Sequence, residues 1–176
     1  NNFIANYIHD VGLGGGWAGI WLDGGKYCTV AGNEILGDNS GIRCGNSTNN
    51  YIINNMIYNS EGIGIGEHYC DNNLIVHNSV YLNNSNNGFY LYNCTNSFIT
   101  NNIPYQAGPG HAIGLYSTNP GLMSDYNDLY APNGYVGFFD GIYCTTLADF
   151  QAVSGTNINS ISADPYFVTN DDLHII

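Results

Sequence analysis

A motif of the form Asn-x-Φ-x-x-Asn-x-Φ, in which Φ is a bulky apolar residue, returns about every 23 residues along this chain. Self-similarity at such a period leaves few choices of fold, because one repeat is too small to bury its own apolar face and must stack on its neighbours. The copies begin at Asn1 (with Phe3, Asn6 and Ile8), Cys28 (Val30, Asn33, Ile35), Asn50 (Ile52, Asn55, Ile57), Asn73 (Ile75, Asn78, Val80) and Asn96 (Phe98, Asn101, Ile103). A degraded sixth keeps Ser124, Asn127 and Leu129. Between them a second phrase, Gly-Φ-x-Φ, recurs at Gly19-Ile20-Trp21-Leu22, Gly41-Ile42-Arg43-Cys44, Gly62-Ile63-Gly64-Ile65 and Gly88-Phe89-Tyr90-Leu91, and with Ala for Gly at Ala112-Ile113-Gly114-Leu115.

Each repeat holds three short β-like runs, with Gly and Asn at the corners and no helical stretch. That pattern predicts an all-β parallel β-helix with one coil per repeat, about six coils stacked about 4.8 Å apart. Inward positions then become ladders of like residues. Ile20, Ile42, Ile63, Phe89 and Ile113 are expected to form one, and Ile8, Ile35, Ile57, Val80 and Ile103 another. Asparagine suits the corners because it tolerates the left-handed conformation, and stacked amides can hydrogen-bond from coil to coil. The coils are expected over residues 1–144 and a C-terminal capping segment over residues 145–176. In that segment Thr146-Leu147-Ala148-Asp149 reads as the start of a short helix running to about Gly155, and Ser162 to Phe167 with Leu173-His174-Ile175 read as closing strands.

The repeats, over most of the chain, resemble those of the right-handed parallel β-helix repeat family, seen in pectate lyase-like enzymes and many secreted bacterial surface proteins. Leu147-Ala148-Asp149-Phe150-Gln151 followed by Ser160-Ile161-Ser162-Ala163-Asp164-Pro165 is similar to the closing segment of bacterial members. The resemblance implies a right-handed coil, a secreted or cell-surface bacterial protein and, among lyases, Arg or Lys as base, for which Arg43 and Lys26 are present. It departs from polygalacturonases: Gly110-His111-Ala112 is an imperfect match, and Asp171-Asp172 falls in the cap.

Fourteen acidic residues against two basic ones give a formal charge of −12, which disfavours nucleic acid and anionic membrane surfaces as partners. A polyanionic substrate needs a bridging cation, and calcium at Asp23, Glu67 and Asp71 is the candidate, since hard divalent ions prefer oxygen ligands. The five cysteines match no zinc spacing and read as packing residues. No run of eighteen apolar residues exists, so no membrane span is expected. The chain starts on the first Asn of a repeat and without Met, as a mature product or an excised segment would, and an uncapped first coil predicts end-to-end association.

In the Gly-Φ-x-Φ strand the two Φ residues point inward, so the residue between them and the one after face solvent. This exposes Trp21, Asp23, Arg43, Tyr90, Tyr92 and Tyr116, leaves Gly64 and Gly66 bare, and sets Glu67 and His68 just beyond the strand. Flat aromatic faces accept the apolar faces of sugar rings, so Trp21, Tyr90, Tyr92 and Tyr116 are expected substrate contacts on a polysaccharide; equally, the tyrosines can stack on one another along the sheet. Trp17, in the insertion from Asp10 to Trp17, is expected to overhang one end. Arg43, Glu67, His68 and Asp23 are the catalytic candidates. Asp23 and Glu67 suit an inverting glycoside hydrolase, whereas His68 or Arg43 suits proton abstraction beside a uronate carboxylate in a lyase. The rival expectation is a non-catalytic carbohydrate-binding, adhesive or structural module.

Overall fold

The computed structural model describes residues 1–11, 18–37 and 39–175, and the chain forms a right-handed parallel β-helix. Coil one carries β1 (Asn2–Ile4), β2 (Tyr7–His9) and β3 (Ala18–Asp23); coil two β4 (Thr29–Ala31), β5 (Glu34–Leu36) and β6 (Ser40–Gly45). Coil three carries β7 (Tyr51–Ile53), β8 (Met56–Tyr58) and β9 (Ile65–His68); coil four β10 (Leu74–Val76), β11 (Ser79–Leu82) and β12 (Asn87–Tyr92). Coil five follows with β13 (Phe98–Thr100), β14 (Ile103–Gln106) and β15 (His111–Tyr116), and the chain continues through β16 (Met123–Asp125), β17 (Tyr135–Phe139), β18 (Ile142–Cys144), α1 (Leu147–Ser154), β19 (Phe167–Thr169) and β20 (Asp172–Ile175). The first sheet stacks β1, β4, β7, β10, β13 and β16; the second β2, β5, β8, β11 and β14; the third β3, β6, β9, β12, β15, β17 and the antiparallel β18. Five coils therefore supply a strand to every sheet. The sixth reaches the second sheet only through a bridge between Tyr105 and Tyr130, slightly short of the six coils expected.

Two ladders run the length of the interior. Asn6, Asn33, Asn55, Asn78, Asn102 and Asn127 each pass a side-chain amide N–H to the next side-chain carbonyl at 2.8 to 3.1 Å, the last of these going to Asn157. The same carbonyl oxygens, from Asn33 to Asn127, also accept the backbone N–H of the residue one coil below. The second ladder is apolar: Ile20, Ile42, Ile65, Phe89 and Ile113 stand in register, and each buried side chain contributes roughly 1.5 to 3 kcal/mol.

Both ladders correct the expected frame. Ile65, not Ile63, is the coil-three member: Gly62-Ile63 and Gly64-Ile65 open alike, and in the observed frame Glu67 takes the second apolar place of the phrase. In coil five Asn102 takes the inward place and Pro104 pairs with Val80, a slip of one residue that the adjacent Asn101-Asn102 conceals. Asn101 sits instead at the left-handed corner, with φ of 55°, in line with Ala5, Gly32, Asn54, His77 and Tyr126. A one-residue slip matters because it exchanges the two faces of a strand.

The core closes at its C-terminal end as the sequence suggests. The apolar ladder terminates on Gly137, where an added Cβ would lie 2.2 Å from Phe150 Cδ2, so the fully buried Phe150 ring of α1 fills the place of the missing side chain. Thr146 caps this eight-residue helix by accepting the Asp149 N–H, and Gly155, φ 67°, ends it. Thr146→Ala is expected to cost about 1 kcal/mol in a denaturant titration, because Phe150 ties the helix to the core. The β19–β20 hairpin does not close the end. It lies along the flank of the second sheet, where Leu173 and Phe167 cover the outward row Tyr58, Tyr81 and Tyr105. Among the described residues no helix is long and apolar enough to cross a membrane.

Candidate functional site

Two outward rows of the third sheet carry the candidates. One reads Trp21, Arg43, Gly66, Tyr90, Gly114 and Phe138; the other Asp23, Gly45, His68, Tyr92 and Tyr116. Glycines punctuate both rows, and Gly114 leaves room for a neighbouring ring to lean over. An added Cβ at Gly114 would stand 2.5 Å from Tyr116 Cε2. The rings use this space to stack in a zigzag, His68 on Tyr90 at 4.8 Å, Tyr90 on Tyr116 at 4.5 Å and Tyr116 on Phe138 at 4.5 Å. His111, between Tyr135 and Tyr143, extends the stack to the capping end. Phe138, Tyr135 and Tyr143 are additions to the sequence reading, hidden in the degraded sixth coil; the spacing Tyr135-x-x-Phe138 beside Gly137 is the signal that was there to find.

Stacked rings give their faces to one another, so Tyr90 and Tyr116 offer solvent their edges. The more exposed rings lie where the stack begins. Trp21 is 47% and Tyr69 57% exposed, and together with Asp23, Arg43, Gly45, Asn46 and His68 they line a cleft of about 360 Å³. Tyr69 occupies a left-handed corner, φ 54°, where its ring stands clear of the sheet and meets Tyr92 edge-on at 5.5 Å. A bulky residue in that conformation gives no sequence signal.

At the cleft floor Arg43 Nη2 lies 3.3 Å from His68 Nε2. Burial, and then the adjacent guanidinium, lower the His68 pKa below its ordinary value, so the imidazole is neutral at neutral pH. Arg43 has only donors, so Nε2 accepts and the ring proton resides on Nδ1. Among the described residues Arg43 has no carboxylate partner: the ion pairs are His9 with Asp10 and His174 with Asp172. Asp23 accepts a long 3.5 Å hydrogen bond from Asn46.

Glu67 is elsewhere. It pairs in register with Cys44 and Leu91, which makes it an inward residue of β9, fully buried. The residue two coils from Asp23 in the same row is His68, so no Asp23–Glu67 carboxylate pair spans the cleft. Gly64 likewise faces inward, where an added Cβ would meet Val80, and only Gly66 is a bare outer position in coil three. The calcium expectation meets the same correction. Asp71 is engaged by Thr95 and Asn96, Glu67 is interior, and among the described residues no three His, Cys, Asp or Glu side chains converge on a metal position. Trp17 lies outside the described residues. All five cysteines are buried, as expected of packing residues.

A family model described as periplasmic copper-binding protein (NosD) matches residues 1–130. No curated protein and no solved structure matches the chain.

Proposed function

The chain belongs to this NosD family, a family of periplasmic β-helix proteins, and from that premise we propose that it is a non-catalytic module binding a uronate-bearing polysaccharide at the Trp21–Tyr69 cleft. The observation that carries the reading is Arg43. In a chain of net charge −12, an arginine without a carboxylate partner among the described residues, held on a neutral histidine between two exposed rings, is a seat for a sugar carboxylate. The Trp21 and Tyr69 faces supply the apolar stacking a pyranose ring needs. Tyr90, Tyr92 and Tyr116 act behind them, stacking against His68 and Tyr69 and holding both in place.

Binding is favoured over turnover by the hydrogen bond at His68. Its single lone pair is committed to Arg43, so a base would have to break that contact first, and Glu67 supplies no second carboxylate. A panel of neutral and uronate polysaccharides, with calcium or with chelator, tests the reading by calorimetry alongside assays for new reducing ends and unsaturated uronate. Binding of a uronate polymer without product is expected. Arg43→Gln and Trp21→Ala should each weaken it about tenfold, the size of one lost charge-assisted hydrogen bond or one aromatic contact. Unsaturated product would assign a lyase instead, and absence of binding across the panel would end the proposal.

A further inference from the structure

The five cysteines carry free thiols in this structure, and two of them stand at the same place in consecutive coils. His68 pairs with Tyr92 on one side of them and Asp71 with Thr95 on the other, which puts Cys70 in register with Cys94. We propose that Cys70 and Cys94 are the two halves of a disulfide that clamps coil three to coil four beside the Trp21–Tyr69 cleft.

The fold brings the two side chains into a common row. In-register neighbours in a parallel sheet lie about 4.8 Å apart, inside the range of roughly 4.4 to 6.8 Å between Cα atoms that a disulfide spans. Both thiols also point the same way: Cys70 Sγ donates to His68 O at 3.4 Å and Cys94 Sγ to Tyr92 O at 3.5 Å, each the carbonyl two residues before it. Ser47 does the same one coil earlier, with its hydroxyl on Gly45 O at 2.8 Å, so the row reads Ser47, Cys70 and Cys94. The thiols are close enough to feel one another. The Cys94 thiol is the first cause that holds the Cys70 thiol far above its ordinary value, ahead of burial and the Glu67 carboxylate.

Closing the bridge leaves neither carbonyl unmet, because His68 O keeps the Asn46 N–H at 2.9 Å and Tyr92 O keeps the Tyr69 N–H at 3.0 Å. No other pair of cysteines shares a row. The Cys28 N–H goes to Asn50 Oδ1, Cys44 stands in register with Leu22 and Glu67, and Cys144 pairs with Gly137.

The family's description places its members in the periplasm, a compartment in which disulfides form and persist. The oxidant is a disulfide, that of an oxidoreductase or of glutathione. The Cys70 thiolate attacks it and displaces one of its sulfurs as a thiol; the Cys94 thiolate then attacks Cys70 Sγ and displaces the other, so two electrons and both thiol protons pass to the oxidant. In the folded chain both thiols are buried and the Cys70 proton is tightly held, so the exchange belongs to the time before coils three and four have stacked. The finished bridge fixes the chain at Tyr69, which lies between His68 and Cys70 and lines the cleft.

The test exports the chain to the periplasm of a bacterial host and purifies it without reductant, while a second sample is refolded from urea in oxidised and reduced glutathione. Alkylation in denaturant, followed by peptide mapping without reduction, should find Cys70 joined to Cys94, with Cys28, Cys44 and Cys144 alkylated. Cys70→Ser, which repeats the residue that Ser47 supplies in this row, should leave Cys94 alkylated as well. Reductant should lower the urea midpoint of the parent and leave that of Cys70→Ser unchanged. Folded, reduced protein in the same glutathione buffer should form the bridge at least about tenfold more slowly than the refolding chain, since its thiols are buried. Five alkylated cysteines in both samples, a bridge to any cysteine outside this pair, or a urea midpoint indifferent to reduction of the bridge would each overturn the proposal.

Discussion

Glu67→Gln is expected to raise the stability of this protein by roughly 3 kcal/mol at pH 8 and to leave it nearly unchanged at pH 4.5. Glu67 stands in a ladder that reads Leu22, Cys44, Glu67, Leu91 and Leu115, an apolar row with one carboxyl in it. Its Oε1 accepts a 2.7 Å hydrogen bond from Asn73 Nδ2, whereas among the described residues neither Oε2 nor the buried Ser97 Oγ has a hydrogen-bond partner. Desolvation pushes the pKa from 4.5 up to about 7, against the smaller opposing influence of the Asn73 hydrogen bond and of the nearby Ser97 hydroxyl, which stands close to the carboxyl without completing a hydrogen bond to it. Between pH 4.5 and about 7 the unfolded chain has released this proton and the folded chain still holds it. Stability contributed at this residue therefore falls as pH rises through that window, by about 1.4 kcal/mol per pH unit, and is level above it. Glutamine keeps the acceptor for Asn73 and turns an N–H toward Ser97, with no charge to bury.

The histidines act in the opposite sense, which is why the measurement is a difference between variant and parent. Burial lowers the pKa of both His68 and His111, so the folded state resists protonation that the unfolded state accepts, and stability at those residues is lost as pH falls below about 6.5. Subtracting urea-unfolding free energies of the parent from those of Glu67→Gln, between pH 4.5 and 8, removes the histidine terms. A flat difference profile would mean that Glu67 is hydrated or paired in solution.

The coil was legible in the sequence because its period is enforced at two inward positions per repeat, and the helix from Leu147 to Ser154 was legible because Thr146, Asp149 and Gly155 are its capping chemistry. Register was less legible wherever a motif residue has a like neighbour. Gly62-Ile63 and Gly64-Ile65 open alike two residues apart, and choosing the first ends the strand at Ile65, which leaves Glu67 beyond it instead of on its inward face. Asn101 and Asn102 do the same one coil pair later. The cleft was half visible: Trp21, Arg43 and Asp23 follow from strand alternation and His68 was placed just beyond the strand, but Tyr69 does not follow, since no local rule places a tyrosine at a left-handed corner. That the tyrosines stack on one another rather than await a ligand depends on glycines one coil away, a relation across 24 to 26 residues that single-strand alternation does not contain.

The asparagine ladder supplies the other large expected effect, and the frame of coil five decides where to look for it. Asn78 Oδ1 accepts from both Asn55 N at 3.0 Å and Asn55 Nδ2 at 2.9 Å, and its own Nδ2 lies within hydrogen-bond reach of Ile52 O, Val76 O and Asn102 Oδ1. Every side chain in this group is fully or nearly fully buried, so water cannot replace what is removed. Asn78→Ala leaves an amide N–H and at least one carbonyl unmet, each costing about 1 to 3 kcal/mol, and a total loss of about 3 to 5 kcal/mol is expected from urea unfolding. Asn78→Asp should be at least as damaging at neutral pH, because it keeps the acceptor but sets a charge against the carbonyl oxygens that Asn78 Nδ2 satisfies. Protonation restores a donor, and burial raises the folded-state pKa of the new carboxyl, so the damage should lessen as pH falls through that value. Asn101→Gly, by contrast, should change stability by less than about 0.5 kcal/mol, since Gly32 already serves that corner in coil two. If Asn101 proved the costly position and Asn102→Ala the tolerated one, the ladder would run in the frame that the repeat motif alone suggests.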